Sequence, residues 1–280
     1  MTRTRKMPAP ALRPAPLPAP TVVRRARAAA IFVHDMTAAP WTEAGKAGIS
    51  QKVVRVDHAK GHYLGLVAFD PLVASGLHQH QGVATSYVLE GSLTDYAGTI
   101  TRGQVGINFK GSTHDAIPYE RCLLAARLEG PVTYPPQDGP VHRLHAGARH
   151  SAIVNRAPEV MPDTNIMVEA LPMAVTALAG VGRRLIFDYR GTGDDRRLVQ
   201  LQLLPGTTIP AHRTTELVEW FVLAGDVSVG DSTARGGSFV CIEPGAEAVV
   251  SSRYGALLLA WSEGRIAWSD GTARPDLYGF

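Results

Sequence analysis

The chain has 280 residues, 45% hydrophobic and 19% charged, enough for one large domain or two smaller units each with its own core. Its formal charge of +3 comes from one end: residues 1–30 hold seven of the 28 Lys and Arg and no acid, leaving 21 bases against 25 acids elsewhere. A folded basic surface for nucleic acid is therefore not expected, and no stretch is long and apolar enough to span a membrane.

Residues 1–20 alternate Pro and Ala with scattered Arg. Proline fixes φ and removes a donor, so residues 1–27 read as a solvated tail, without the apolar run of a secretory signal. Residues 28–32 and the segment near Trp41 lead into a first β-rich unit, residues 28–135. Its strands are expected at 52–56, 63–69, 86–89, 104–108 and 122–127, separated by turns such as Lys60-Gly61, Glu90-Gly91, Arg102-Gly103 and Lys110-Gly111. Residues 136–162, rich in Pro, Gly, His and Arg, read as a linker. A second unit, residues 163–280, opens with weak helical periodicity over 168–178. Strands follow at 184–189, 198–203, 218–223, 238–242 and 255–261. Many short strands with Gly and Pro turns predict an all-β barrel or sandwich. Cys122 and Cys241 fall on strands and read as reduced, buried thiols of a cytoplasmic protein.

An internal repeat constrains the fold more than any one strand. At an offset of 134 with no gap, Pro71 falls on Pro205, His78 on His212, Gly91 on Gly225, Gly103 on Gly237 and Gly111 on Gly245. Yet His80 falls on Thr214 and His114 on Ala248. The expectation is a duplicated fold with one working site, in the first unit. Weaker groupings read as structure: His212 with Glu216, Glu219 or Glu247 lacks its partners, Glu219 is expected to face outward, and His142, His145 and His150 lie in the linker. His58 and His62 flank a turn, and Trp220 and Trp261 read as core or interface.

The two segments around the histidines resemble the cupin family, whose motifs run Gly-x5-His-x-His-x3,4-Glu-x6-Gly and Gly-x5-Pro-x-Gly-x2-His-x3-Asn. The first unit supplies His78, His80 and Gly91, then Gly103, Gly111 and His114; it departs at Leu72, Ala84, Phe109 and Pro118, which stand where the motifs have Gly, Glu, Pro and Asn. The resemblance covers residues 50–130 and 180–265 and implies two tandem cupin barrels, double-stranded β-helix jelly rolls that arose by internal duplication. Within a strand, residues two apart share a face, so His78 and His80 both enter the first barrel, with His114 from the facing strand. Three neutral imidazoles suit one divalent metal per chain, whether Fe(II), Zn, Ni, Cu or Mn. Ser86, Val88, Asn108 and Phe109 are the expected pocket wall; no catalytic acid or base is evident.

Ala84 cannot coordinate, so the expected ligands are all neutral and leave the ion's +2 charge for an anionic, chelating substrate such as a β-diketone or hydroxyketone enolate. The run from His78 to Gly98 is most similar to the ChrR-type branch, which contains zinc anti-sigma cupins and three-histidine iron enzymes similar to acetylacetone and 2,4'-dihydroxyacetophenone dioxygenases. The resemblance implies an Fe(II)-dependent dioxygenase that cleaves a C–C bond beside a carbonyl. The alternatives are a non-catalytic metal-bound sensor or small-molecule-binding protein, and a Zn, Mn or Ni lyase or isomerase. The partners expected are a small-molecule substrate and a second copy in a homodimer, without nucleic acid or membrane.

Overall fold

A computed structural model describes residues 29–134, 163–189 and 195–279. The expected tail and linker, with His142, His145 and His150, lie outside the described residues. After β1 (Ile31–Asp35), the first half runs β2 (Thr42–Glu43), β3 (Ile49–Asp57), β4 (His62–Phe69), β5 (His78–His80) and β6 (Ala84–Glu90). It continues with β7 (Ser92–Asp95), β8 (Gly98–Thr101), β9 (Gln104–Asn108), β10 (Thr113–His114), β11 (Cys122–Glu129) and β12 (Val132–Thr133). The second half follows with β13 (Thr164–Met167), β14 (Ala174–Val175), β15 (Val181–Asp188), β16 (Arg197–Leu203) and β17 (Thr207–Thr214). It ends with β18 (Val218–Val229), β19 (Ser232–Arg235), β20 (Ser238–Ile242), β21 (Glu247–Ser252), β22 (Ala256–Ser262) and β23 (Ile266–Trp268). No described helix is long and apolar enough to cross a membrane.

The 134-residue offset recurs in the strands. β6, β8, β9, β10, β11 and β12 each begin 134 residues before β18, β19, β20, β21, β22 and β23. Pairing follows suit: the order β2-β3-β4-β11-β6-β9 is matched by β14-β15-β16-β22-β18-β20, and β5 lies between β10 and β12 as β17 lies between β21 and β23. Leu72, at a glycine slot of the motif, keeps the left-handed backbone of its counterpart Gly206, with φ of 64° and 77°. The departure costs about 1–2 kcal/mol of strain locally without changing the chain's path.

Two expectations are corrected. The periodicity over 168–178 yields one 3₁₀ turn, Val168–Ala170, and then the strand β14; Pro172 supplies no amide donor and ends any helix there. The expected unit boundaries also fail to match strand membership. β1 pairs with β20 of the second half, with Ile31 opposite Ile242, while β13 pairs with β9 of the first, with Thr164 opposite Ile107. Each half's leading strand thus completes the other half's sheet, because an edge strand satisfies its ladder wherever a free edge is presented.

The outer faces of the two sheets pack together. Leu64, Leu66, Ile107 and Phe109 meet Leu198, Phe221, Phe239 and Leu259 in one buried cluster. Trp261 belongs to this interface and donates to Thr85 Oγ1 at 2.7 Å, whereas Trp220 lies in the second barrel's own core. Cys122 and Cys241 are buried and unpaired, and burial pushes both thiols up to about 12.

Glu219 faces out of its own barrel, as the sequence predicts, but it is fully buried against the first half. Arg55 donates to its Oε1 at 2.7 Å and Arg127 to its Oε2 at 2.7 Å. Arg127 also pairs with Glu129 and Glu263. Removing one charge from a buried network leaves the others uncompensated. Glu219→Ala should therefore cost about 3 kcal/mol in urea unfolding. Gly91 and Gly225 adopt φ of 72° and 78°, and a Cβ at either would meet a carbonyl oxygen, of Arg121 at 2.0 Å or Gly255 at 1.9 Å. Alanine at either position should destabilise by about 2 kcal/mol or more, read as a lowered midpoint of thermal unfolding.

Candidate metal centre

β5 is only three residues long, held between β10 and β12. Alternation sends His78 and His80 inward, while Gln79 turns away to donate to Thr113 Oγ1 at 3.1 Å and Gly111 O at 3.3 Å. His114 is the cross-strand partner of His78. Strand pairing alone therefore sets two imidazoles face to face, and the two-residue period adds the third. All three are nearly buried, with ring centroids 4.5–5.1 Å apart. His114 Nε2 lies 3.0 Å from His80 Nε2 and 3.0 Å from His78 Nε2.

Hydrogen bonds at the far side of two rings assign their tautomers. His78 Nδ1–H donates to Gly76 O at 2.7 Å, and His114 Nδ1–H donates to Asp95 Oδ2 at 2.7 Å. Burial first, and His114 next, hold His78 down to about 4 and His80 down to about 2. A proton on His80 Nε2 can bridge one contact, but the His78–His114 contact still brings two lone pairs together at 3.0 Å. A cation between them removes that repulsion. The trio is the group of potential metal ligands found among the described residues, its donor atoms all within 4.8 Å of one another.

The trio opens onto a cavity of about 140 Å³. Its wall is mostly apolar, including Val67, Phe69, Leu93 and Ile100, with Ser86, Asp95, Asn108 and Arg127 among its polar points. Ala84 lines it where the motif has glutamate, and no glutamate is among the lining residues. Of the expected wall, Ser86 and Asn108 are in place. Val88 is instead fully buried with Ile49, Ile100 and Leu124, and Phe109 lies outside, packed 5.3 Å from Phe187 between the halves. Neighbours on a strand point to opposite faces, so Asn108 and Phe109 could not both face inward.

The second barrel shows what the same frame becomes without the trio. His212 keeps the pose of His78, with Nδ1–H donating to Pro210 O at 2.9 Å, but its Nε2 has no hydrogen-bond partner among the described residues. Ala248 faces it across the ladder where His114 faces His78. Ser86 becomes Trp220, which donates to Tyr278 Oη at 3.1 Å, and both side chains fill the interior. Glu216 and Glu247 are exposed, Glu247 bound to Arg213 and Ser269, so neither joins His212.

Asp95 is the site residue that motif reading missed. Its signal was present in the repeat, where Asp95 falls on the apolar Val229 just as His114 falls on Ala248. A carboxylate on the rear nitrogen orients a ligating imidazole and raises its basicity. Asp95→Ala is expected to weaken binding of a divalent ion about 10–100-fold, measured by competition with a chelator.

Residues 29–132 match the ChrR cupin-like domain family. No curated protein is similar enough in sequence to count as a relative. Among solved structures, a candidate dioxygenase from Nostoc punctiforme superposes with a TM-score of 0.66 at 12% identity, covering 90% of this chain and 87% of that one. Bacillus subtilis oxalate decarboxylase gives 0.60 at 10% identity, over 90% of this chain and 81% of its own. At such identity the likeness is one of fold: a bicupin-like, all-β jelly-roll architecture.

Proposed function

We propose that this chain, which carries a ChrR cupin-like domain over residues 29–132, is a metal-dependent dioxygenase that cleaves a C–C bond in a small β-diketone or hydroxyketone. The observation that carries this reading is the convergence of three histidines, two of them buried and neutral at pH 7, beside an opening with no carboxylate ligand of its own. His78, His80 and His114 would hold one ion through Nε2. Three imidazoles would leave positions on the ion for substrate and O2, and Fe(II) is the ion this reading takes.

The bound ion would supply Lewis acidity toward a chelating enolate and one-electron chemistry toward O2. The chain's own residues do the rest. Ala84 leaves the glutamate's space open to substrate, and a neutral ligand set selects a ligand that brings negative charge. Phe69, Leu93 and Ile100 surround the substrate body with apolar surface, which keeps water from the reacting carbons. Asp95 holds the His114 ring in place through its Nδ1–H.

The test is metal content after native purification, then oxygen uptake with β-diketones and hydroxyacetophenones under added Fe(II). One Fe(II) per chain and substrate-dependent uptake are expected, with uptake falling at least 100-fold in His80→Ala while the fold persists. Tight zinc with no uptake would sink the dioxygenase and favour the sensor.

A further inference from the structure

We propose that Asp163, carried on the strand exchanged from the second half, is the positioning residue of the metal centre; the proposal rests on the reading of the histidine trio as a metal site. Asp163 immediately precedes β13 and so reaches the end of β9. Its Oδ2 accepts from Ser112 Oγ at 2.5 Å, from Asn108 Nδ2 at 3.1 Å and from Tyr96 Oη; its Oδ1 accepts from Phe109 N–H at 3.2 Å.

These donors sit on the two loops that hold His114. Ser112 is fully buried, two residues before His114, and its carbonyl accepts His80 N–H at 2.9 Å. Gly111 N–H donates to His80 O at 2.7 Å, so the same turn holds both backbone groups of His80. Tyr96 follows Asp95, the acceptor for His114 Nδ1–H. One carboxylate thus ties the backbone that delivers His114 to the hairpin that fixes its tautomer, and Asn108 ties it to the cavity wall. Charge-assisted hydrogen bonds of this kind are stronger than neutral ones and hold geometry closely.

The second half supplies an internal control. There Tyr96, Asn108 and Ser112 fall on Gly230, Ile242 and Ala246, and the residue opposite Ile242 on the exchanged strand is Ile31. That barrel closes without the three side-chain donors or the carboxylate, and Glu243 N–H, the counterpart of Phe109 N–H, donates to the Ala30 carbonyl instead. The cluster accompanies the trio, not the fold.

The experiment uses the full chain as Asp163→Asn, which keeps the size but sets an NH2 group among donors. Co(II) affinity is measured by chelator competition, the ligand geometry by the Co(II) visible spectrum, and the fold by thermal unfolding of the metal-free protein. The expected result is roughly tenfold weaker Co(II) binding and a shifted absorption envelope in a protein that still unfolds cooperatively, at a lowered midpoint because the amide leaves donors unpaired. Wild-type affinity and spectrum in Asp163→Asn would overturn the proposal, whatever happens to stability. If that variant fails to fold, Tyr96→Phe removes a single donor; it should shift the spectrum in the same direction with a smaller affinity loss, and an unchanged spectrum would overturn the proposal. A wild-type chain that takes up no Co(II) would instead refute the metal reading itself, so the two failures are told apart.

Discussion

Two imidazole lone pairs pressed to 3.0 Å inside a buried site are the constraint on which the rest of the structure depends. Left to themselves, the rings would turn or separate. They are kept in opposition from behind, His78 by the Gly76 carbonyl and His114 by Asp95. The strand ladder fixes where the rings start, and the hydrogen bonds on Nδ1 fix which nitrogen faces the cavity. A site assembled this way turns ring nitrogens toward one point with the Asp95 carboxylate behind them, and a cation at that point relieves their repulsion.

The two halves show one frame under two demands. In the first, Ala84, Ser86 and Asn108 leave space beside the histidines; in the second, Val218, Trp220 and Ile242 occupy the same positions and close it. Accordingly, the interior core of the first half is the small group around Ile49, Val88 and Cys122, while that of the second fills the barrel from Val181 to Tyr278. The first half holds its space with help from outside. Its sheet is braced by the apolar layer between the halves and by the carboxylates around the buried Arg127.

Much of this was legible in the sequence, for identifiable reasons. The repeat announced itself because Gly and His at fixed offsets mark turns and ligands, whose positions tolerate no slippage. The three histidines were found through spacing alone, since β5 and β10 are too short to show any periodicity. Val88 and Phe109 were misplaced because parity says which face a side chain takes, but not how deep the cavity runs or where a strand ends. The exchange of β1 and β13 was out of reach, because an apolar strand such as Ile31–Val33 carries no label for the edge it will join. Asp95 was readable only by asking what each half has that the other lacks, and Asp163, which enters with the exchanged strand, was out of reach with it.

That exchange bears on how the chain is made. The partner of β1, β20, lies some two hundred residues downstream, with Ile31 opposite Ile242. Nor can the amino-terminal sheet seal its edge until Thr164–Met167 has emerged. Contacts this distant form late and slowly. Each half's sheet is therefore sealed only by a strand that the other half supplies, and the two are coupled through long-range ladders.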